Sequence, residues 1–199
     1  MEYDNQLVLT GQINDVGGYT RTNVEESYRL GLEIEGGYKI LKKLGVTGNL
    51  MVSQNKIDAF TEYVDNYDVG GQTEIQHSNT DLAFSPNFIA SISLNYEPVK
   101  NLQVNLMNKY VGAQFLDNTQ TDSRKLDAYF ISHLTVSYTV KDVVFKEMTL
   151  GIRLNNLFNE MYENNGYTFG YIFGGERIQE NFYYPQAGRN FLARLTIKL

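Results

Sequence analysis

The chain has 199 residues and a formal net charge of −6, so it lacks the basic footprint that nucleic acid requires, and no nucleic-acid partner is expected. Hydrophobic residues make up 42% and charged residues 20%, too apolar for a disordered segment. The absence of cysteine removes disulfides, thiolate metal sites and cysteine nucleophiles together.

Aromatic residues reach 13%, carried by 15 Tyr and 11 Phe, while Gly is frequent (17) and Pro scarce (3). That composition favours strands punctuated by turns. No apolar run reaches the roughly 18 residues that a membrane-spanning helix needs. The opening residues "MEYDNQLVLTGQ" have neither the basic nor the apolar region of a signal peptide. Either the chain is cytosolic, or Met1 is not the beginning of the natural protein.

Eight strands are predicted, at about 2–13, 24–41, 44–58, 86–97, 101–116, 125–141, 147–160 and 188–199. Each carries alternation with one apolar and one polar face. In 24–41, Leu30, Leu32, Ile34, Tyr38 and Ile40 oppose Glu33, Glu35 and Lys39. In 86–97, Phe88, Ala90, Ile92, Leu94 and Tyr96 oppose Asn87, Ser91, Ser93 and Asn95, with Ile89 as an exception. Leu102, Val104 and Leu106 follow, then Phe130, Leu134, Val136, Tyr138 and Val140 against His133, Thr135, Ser137 and Thr139. Met148, Leu150, Ile152 and Leu154 continue the pattern. It ends with Phe191, Ala193, Leu195, Ile197 and Leu199 against Asn190, Leu192, Arg194, Thr196 and Lys198.

The connections alternate in length. "KKLG", "EPVKN" and "KDVVFKE" are short, while 14–23, 59–85, 117–124 and 161–187 are long. Short turns at one end, long loops at the other and an even strand number are the habit of outer-membrane barrels. Tyr38, Tyr96 and Tyr138 each precede a short turn on the apolar face, where a membrane-interface girdle belongs. The fold class expected is all-β, an antiparallel transmembrane β-barrel. Alternation alone also suits a soluble lipocalin-like binding barrel or a small self-contained membrane barrel with a structural or adhesive role.

Three segments resemble one family. "NVEESYRLGLEIEGGYKI" (23–40) is similar to a strand of TonB-dependent outer-membrane receptors, which reads Asn-Val-x-x-Ser-x-x-x-Gly-x-Glu. "LGIRLNNLFNEMYENNGY" (150–167) resembles their Asn-Asn-Leu-Phe-Asn-x-x-Tyr strand. "YYPQAGRNFLARLTIKL" (183–199) resembles their terminal strand with its Pro-x-x-Gly-Arg-x-Phe core, although that strand favours an aromatic final residue and Leu199 stands here. The segment 85–119 is also typical of them. The resemblance implies an outer-membrane receptor taking up a scarce ligand of the siderophore, cobalamin or glycan class. It implies that residues 1–199 are about the last eight strands of a larger barrel. The plug domain and the segment contacting the TonB complex would then lie in an N-terminal part absent from this sequence. In that family the last strand closes the barrel and is read by the assembly machinery.

Catalytic spacings are absent, so no enzyme is expected, and no cofactor or metal site is assigned. His133 is expected as a hydrated residue of the polar face. The acidic loop 59–85, with Glu62, Asp65, Asp68, Glu74 and Asp81, is expected to be solvated rather than to bind Ca²⁺. Gly188, Arg189 and Asn190 are expected to turn the chain into the last strand, with Arg189 pairing inside the barrel. The loop "YENNGYTFGYIFGGERIQENFYY" gathers Tyr167, Phe169, Tyr171 and Phe173 with Arg177. Aromatic faces stack on sugars and siderophore rings, so these five are the candidate ligand contacts, with Arg177 as partner for an anionic group.

Overall fold

The computed structural model describes residues 1–199 and is all-β. Its strands are β1 (Glu2–Ile13), β2 (Tyr19–Leu41), β3 (Leu44–Asn66), β4 (Gln72–Asp81), β5 (Phe88–Tyr96), β6 (Leu102–Val111), β7 (Gln114–Phe115) and β8 (Lys125–Leu126). They continue with β9 (Tyr129–Lys141), β10 (Glu147–Asn155), β11 (Glu163–Phe173), β12 (Glu176–Pro185) and β13 (Asn190–Lys198). The wall of the sheet runs β1-β2-β3-β5-β6-β9-β10-β13, each neighbouring pair antiparallel. The sheet does not close, because β1 pairs only with β2 and β13 only with β10. It is a partial barrel.

All eight predicted strands are in the wall. The long connections differ from expectation. Residues 59–85 hold the outer half of β3 and all of β4, while 161–187 fold into the β11–β12 hairpin. β3 changes partner part-way: up to Val52 it pairs with β5, and from Lys56 onward with β4. Its inner half is therefore wall, and its outer half is a hairpin arm standing beyond the wall.

Register carries one apolar row across seven strands. Tyr38 lies opposite Val46, then come Leu94, Leu106, Leu134, Leu154 and Phe191 in unbroken pairing. A one-residue slip anywhere would put that strand's polar face into the row. Leu30, Leu32, Ile34, Val52, Ile92, Leu150, Ile152 and Leu195 extend the same face, and all are exposed. The accessible surface is 12845 Å². A compact soluble protein of 22.7 kDa would expose about 9,500 Å² by the usual size scaling. The excess is the two faces of an open sheet, which argues against a soluble barrel with a dry core.

The small core sits at the long-loop end, where Val8, Val24, Ile57 and Leu82 cluster with Phe60 against them. Gly11 marks why β1 bulges there. Its φ is +86°, and a Cβ would lie 2.4 Å from the Leu116 carbonyl oxygen, so no other residue allows the 112–128 segment to approach.

Candidate functional site

Three segments gather at the long-loop end: the β3–β4 hairpin, the 112–128 loop carrying β7 and β8, and the β11–β12 hairpin. The 112–128 loop is docked by side-chain amides. Asn118 Oδ1 accepts from the Ala83 N–H at 2.8 Å, and Asn118 Nδ2 donates to the Leu9 carbonyl at 2.7 Å. Gln120 Oε1 accepts from the Asp81 N–H at 3.0 Å and from Lys56 Nζ at 3.1 Å. Leu116 and Leu126 are fully buried beneath the loop.

Glu62 is the hub that joins the three segments. Its carboxylate accepts from Arg124 Nη1 of the loop at 2.9 Å and lies 2.9 Å from His77 Nε2 on β4. It is also paired with Arg177 of β12. Arg124 in turn donates to Asp117 Oδ2 at 2.7 Å, with both side chains only 6% exposed. Burial pushes the Glu62 carboxyl upward, but donation from Arg177, His77 and Arg124 outweighs it and holds the group at about 2. His77 is stacked on Phe60 with ring centroids 4.9 Å apart.

The two hairpin tips are joined as well. Tyr171 and Ile172 of β11 run parallel to Asp65 and Asn66 of β3, and the Tyr67 N–H donates to the Ile172 carbonyl at 3.0 Å. Asp68 Oδ1 and Oδ2 each accept one amide, from Gly174 and Gly175, both at 2.7 Å. Those glycines have φ of +66° and +76°, which turns two consecutive N–H groups toward one carboxylate.

The five candidate ligand contacts are divided by this hairpin. In β11, Tyr167, Phe169, Tyr171 and Phe173 share one face by alternation. Tyr167 stacks on Phe182 at 4.8 Å, and Tyr171 meets Tyr67 edge-on at 5.6 Å. Phe169 is 40% exposed and Phe173 61%. Arg177 pairs across the strands with Ile172, on the opposite face, and its guanidinium is committed to Glu62. The four rings are together; the cation is not with them.

Several of the remaining candidates have structural partners. His133 lies on the inner face, where Nδ1 accepts the Asn156 N–H at 3.3 Å. Asp65 accepts from Gln72 at 2.9 Å, and Asp81 is 2.7 Å from Lys56. Asn159 Oδ1 accepts the Arg189 N–H at 2.8 Å, fixing the turn into β13. The expected ion pair of Arg189 does not form: its side chain is exposed and only its backbone is held. Asn156 was not singled out from the sequence, yet its side chain accepts the Glu160 N–H at 2.9 Å and donates to the carbonyls of Glu160 and Ala187. The Asn-Asn-Leu-Phe-Asn motif is thus the knot that ties the end of β10 to the start of β13. A cavity of about 540 Å³ lies elsewhere, at the short-turn end, with Lys39, Asn95, Gln103 and Asn105 among its lining.

This wall of eight antiparallel strands, apolar outside and polar inside with long segments at one end, defines a β-barrel of the outer-membrane receptor class. The family described as "TonB dependent receptor-like, beta-barrel" matches residues 1–157, and the chain belongs to it. Among solved structures it is similar to the siderophore receptor PiuA from Acinetobacter baumannii, with 18% identity, a TM-score of 0.67, and coverage of 98% of this chain and 24% of that one. It is also similar to the copper transporter OprC, with 18% identity, a TM-score of 0.65 and coverage of 98% and 28%. A third is the ferric-catecholate import receptor Fiu from Escherichia coli K12, with 16% identity, a TM-score of 0.62 and coverage of 98% and 24%. The chain spans about a quarter of the length of these structures. No curated protein matches the sequence.

Proposed function

We propose that residues 1–199 are the C-terminal portion of the barrel of a TonB-dependent receptor in the cell outer membrane, which takes up a scarce ligand of the siderophore, cobalamin or glycan class. The plug domain and the segment that meets the TonB complex belong to the rest of the receptor. The inner face, with its large cavity at the short-turn end, is the wall on which the plug rests.

The observation that carries this reading is the spacing of aromatic residues on the apolar face. Phe88 and Tyr96 end β5, and Phe130 and Tyr138 bracket β9, each pair eight residues apart. Eight residues of strand span about 27 Å. At the usual barrel tilt of roughly 35–45° that is a height of about 21 Å, close to the apolar band of such barrels. Tyr38, Tyr96 and Tyr138 are the girdle at the short-turn end, 73%, 46% and 48% exposed. The ligand-contacting surface is the face of Tyr167, Phe169, Tyr171 and Phe173. Arg177 joins a ligand only by exchanging Glu62 for it.

The test uses the receptor that carries this chain, in its own outer membrane. Leu134→Arg, midway between Phe130 and Tyr138 on β9, is expected to weaken folding into lipid by about 2–4 kcal/mol, while Thr135→Arg on the inner face leaves folding intact. Phe169→Ala with Phe173→Ala is expected to weaken ligand binding about tenfold or more. Equal effects of Leu134→Arg and Thr135→Arg on folding would overturn the membrane reading. Uptake of labelled ferric siderophore, cobalamin and oligosaccharide, each unaffected by loss of the receptor or of TonB, would overturn the transport reading.

A further inference from the structure

Between the Glu62 hub and the β11–β12 hairpin lies a small cavity of about 10 Å³, lined by Glu62, Asp117, Arg124, Thr168, Gly170 and Gln179 among others. Two of these residues carry buried polar atoms with no partner. Arg124 Nε, a donor, belongs to a side chain only 6% exposed. Gln179 Oε1 is an acceptor. Arg124 Nη1 and the Gln179 amide nitrogen are already committed. Arg124 Nη1 serves Glu62 and Asp117, and Gln179 Nε2 donates to Thr168 Oγ1 and to the Phe169 carbonyl at 2.9 Å. The Phe169 carbonyl fixes the amide orientation, because a flipped amide would set two acceptors against each other there.

We propose that this cavity is a binding site for one ordered water molecule, which accepts from Arg124 Nε and donates to Gln179 Oε1. An orphaned donor and an orphaned acceptor beside one space call for a group that is both, and water is the smallest such group. The volume is about one water probe, at the lower edge of what a buried water needs. The two carboxylates of the lining, Glu62 and Asp117, and its two guanidinium groups, Arg124 and Arg177, balance, which favours a neutral occupant. A metal cation is disfavoured by the guanidinium groups of Arg124 and Arg177, both of which line the cavity. A Cβ at Gly170 would lie 2.4 Å from Gln179 Oε1 and would push that amide aside. The water extends the polar hub from the 112–128 loop into the hairpin, joining the two through a bridge that neither side chain completes alone.

The test is a crystal structure of the receptor carrying this chain at a resolution that places waters. A single peak within hydrogen-bond reach of both Arg124 Nε and Gln179 Oε1 is the expected result. An empty cavity, a direct bond from Arg124 Nε to Gln179 Oε1, or a peak with the short distances and many oxygen ligands of a metal would each overturn the proposal. In solution, NMR magnetisation transfer from long-lived water to the Arg124 Nε–H is expected in the unaltered protein, and its absence counts against the site. Gln179→Met removes the acceptor at similar volume. It is expected to abolish that transfer and to raise amide exchange in β11 and β12 roughly tenfold. Unchanged transfer in Gln179→Met would overturn the proposal, since the water would not then be held by Gln179.

Discussion

At the scale of single residues, Glu62 does the most to hold the long-loop end together. Its folded pKa of about 2 lies below the ordinary 4.5, so its contribution is complete above about pH 4.5 and is lost as pH falls from there toward 2. The shift corresponds to about 3 kcal/mol at neutral pH for this largely buried side chain. Hydrogen exchange measured between pH 5 and pH 2, corrected for intrinsic rates, should show the β3–β4 and β11–β12 hairpins losing protection over that window. The wall strands should keep theirs, and in Glu62→Gln the hairpins should show low protection already at pH 5. Equal pH profiles for the two proteins would contradict the hub. None of this was legible in the sequence. Glu62 appeared only as one acid in a run of acids, and Arg177 as a free cation, because their meeting depends on residues 115 positions apart. Acid and base types can be read from a chain, but pairing across loops cannot.

At the scale of elements, the wall strands were readable and the outer hairpins were not, for one physical reason. In the wall, a strand meets an apolar medium on one face and a polar interior on the other, so the period of two is imposed residue by residue. Beyond the wall that pressure ends. The outer half of β3, "AFTEYVDN", mixes both classes on both faces, and β4 reads simply as polar. One local signal was present and passed over: Gly174-Gly175 between β11 and β12 is the two-residue hairpin turn with positive φ at both positions. Gly175→Val tests that turn cleanly, because a Cβ there would meet nothing within 4 Å and the cost is backbone strain alone. The expected loss is about 1–2 kcal/mol of hairpin stability. It should appear as proteolytic nicking at the joined tips and weakened coupling between the two hairpins. Nicking no faster than in the unaltered protein would count against a strained turn.

At the scale of the whole molecule, the two free edges decide what the chain can do by itself. β1 and β13 each leave one row of backbone groups unpaired along strands of 12 and 9 residues. Lipid does not tolerate such rows, and in water they template association. Expressed alone and refolded into detergent, residues 1–199 are expected to sediment as oligomers or aggregates. A stable detergent-solubilised monomer of the isolated chain would mean that β1 and β13 can meet. The aromatic spacing described above has a further consequence, for where such a barrel is at ease. A hydrophobic height of about 21 Å is shorter than the roughly 30 Å hydrocarbon core of an average bilayer. In such a bilayer the surrounding lipid must compress to meet the tyrosine and phenylalanine belts, at a cost of fractions of a kcal/mol for each ångström of hydrophobic mismatch. Bacterial outer membranes are thinner than average, so girdles at this spacing fit such a membrane with less mismatch than a thicker one.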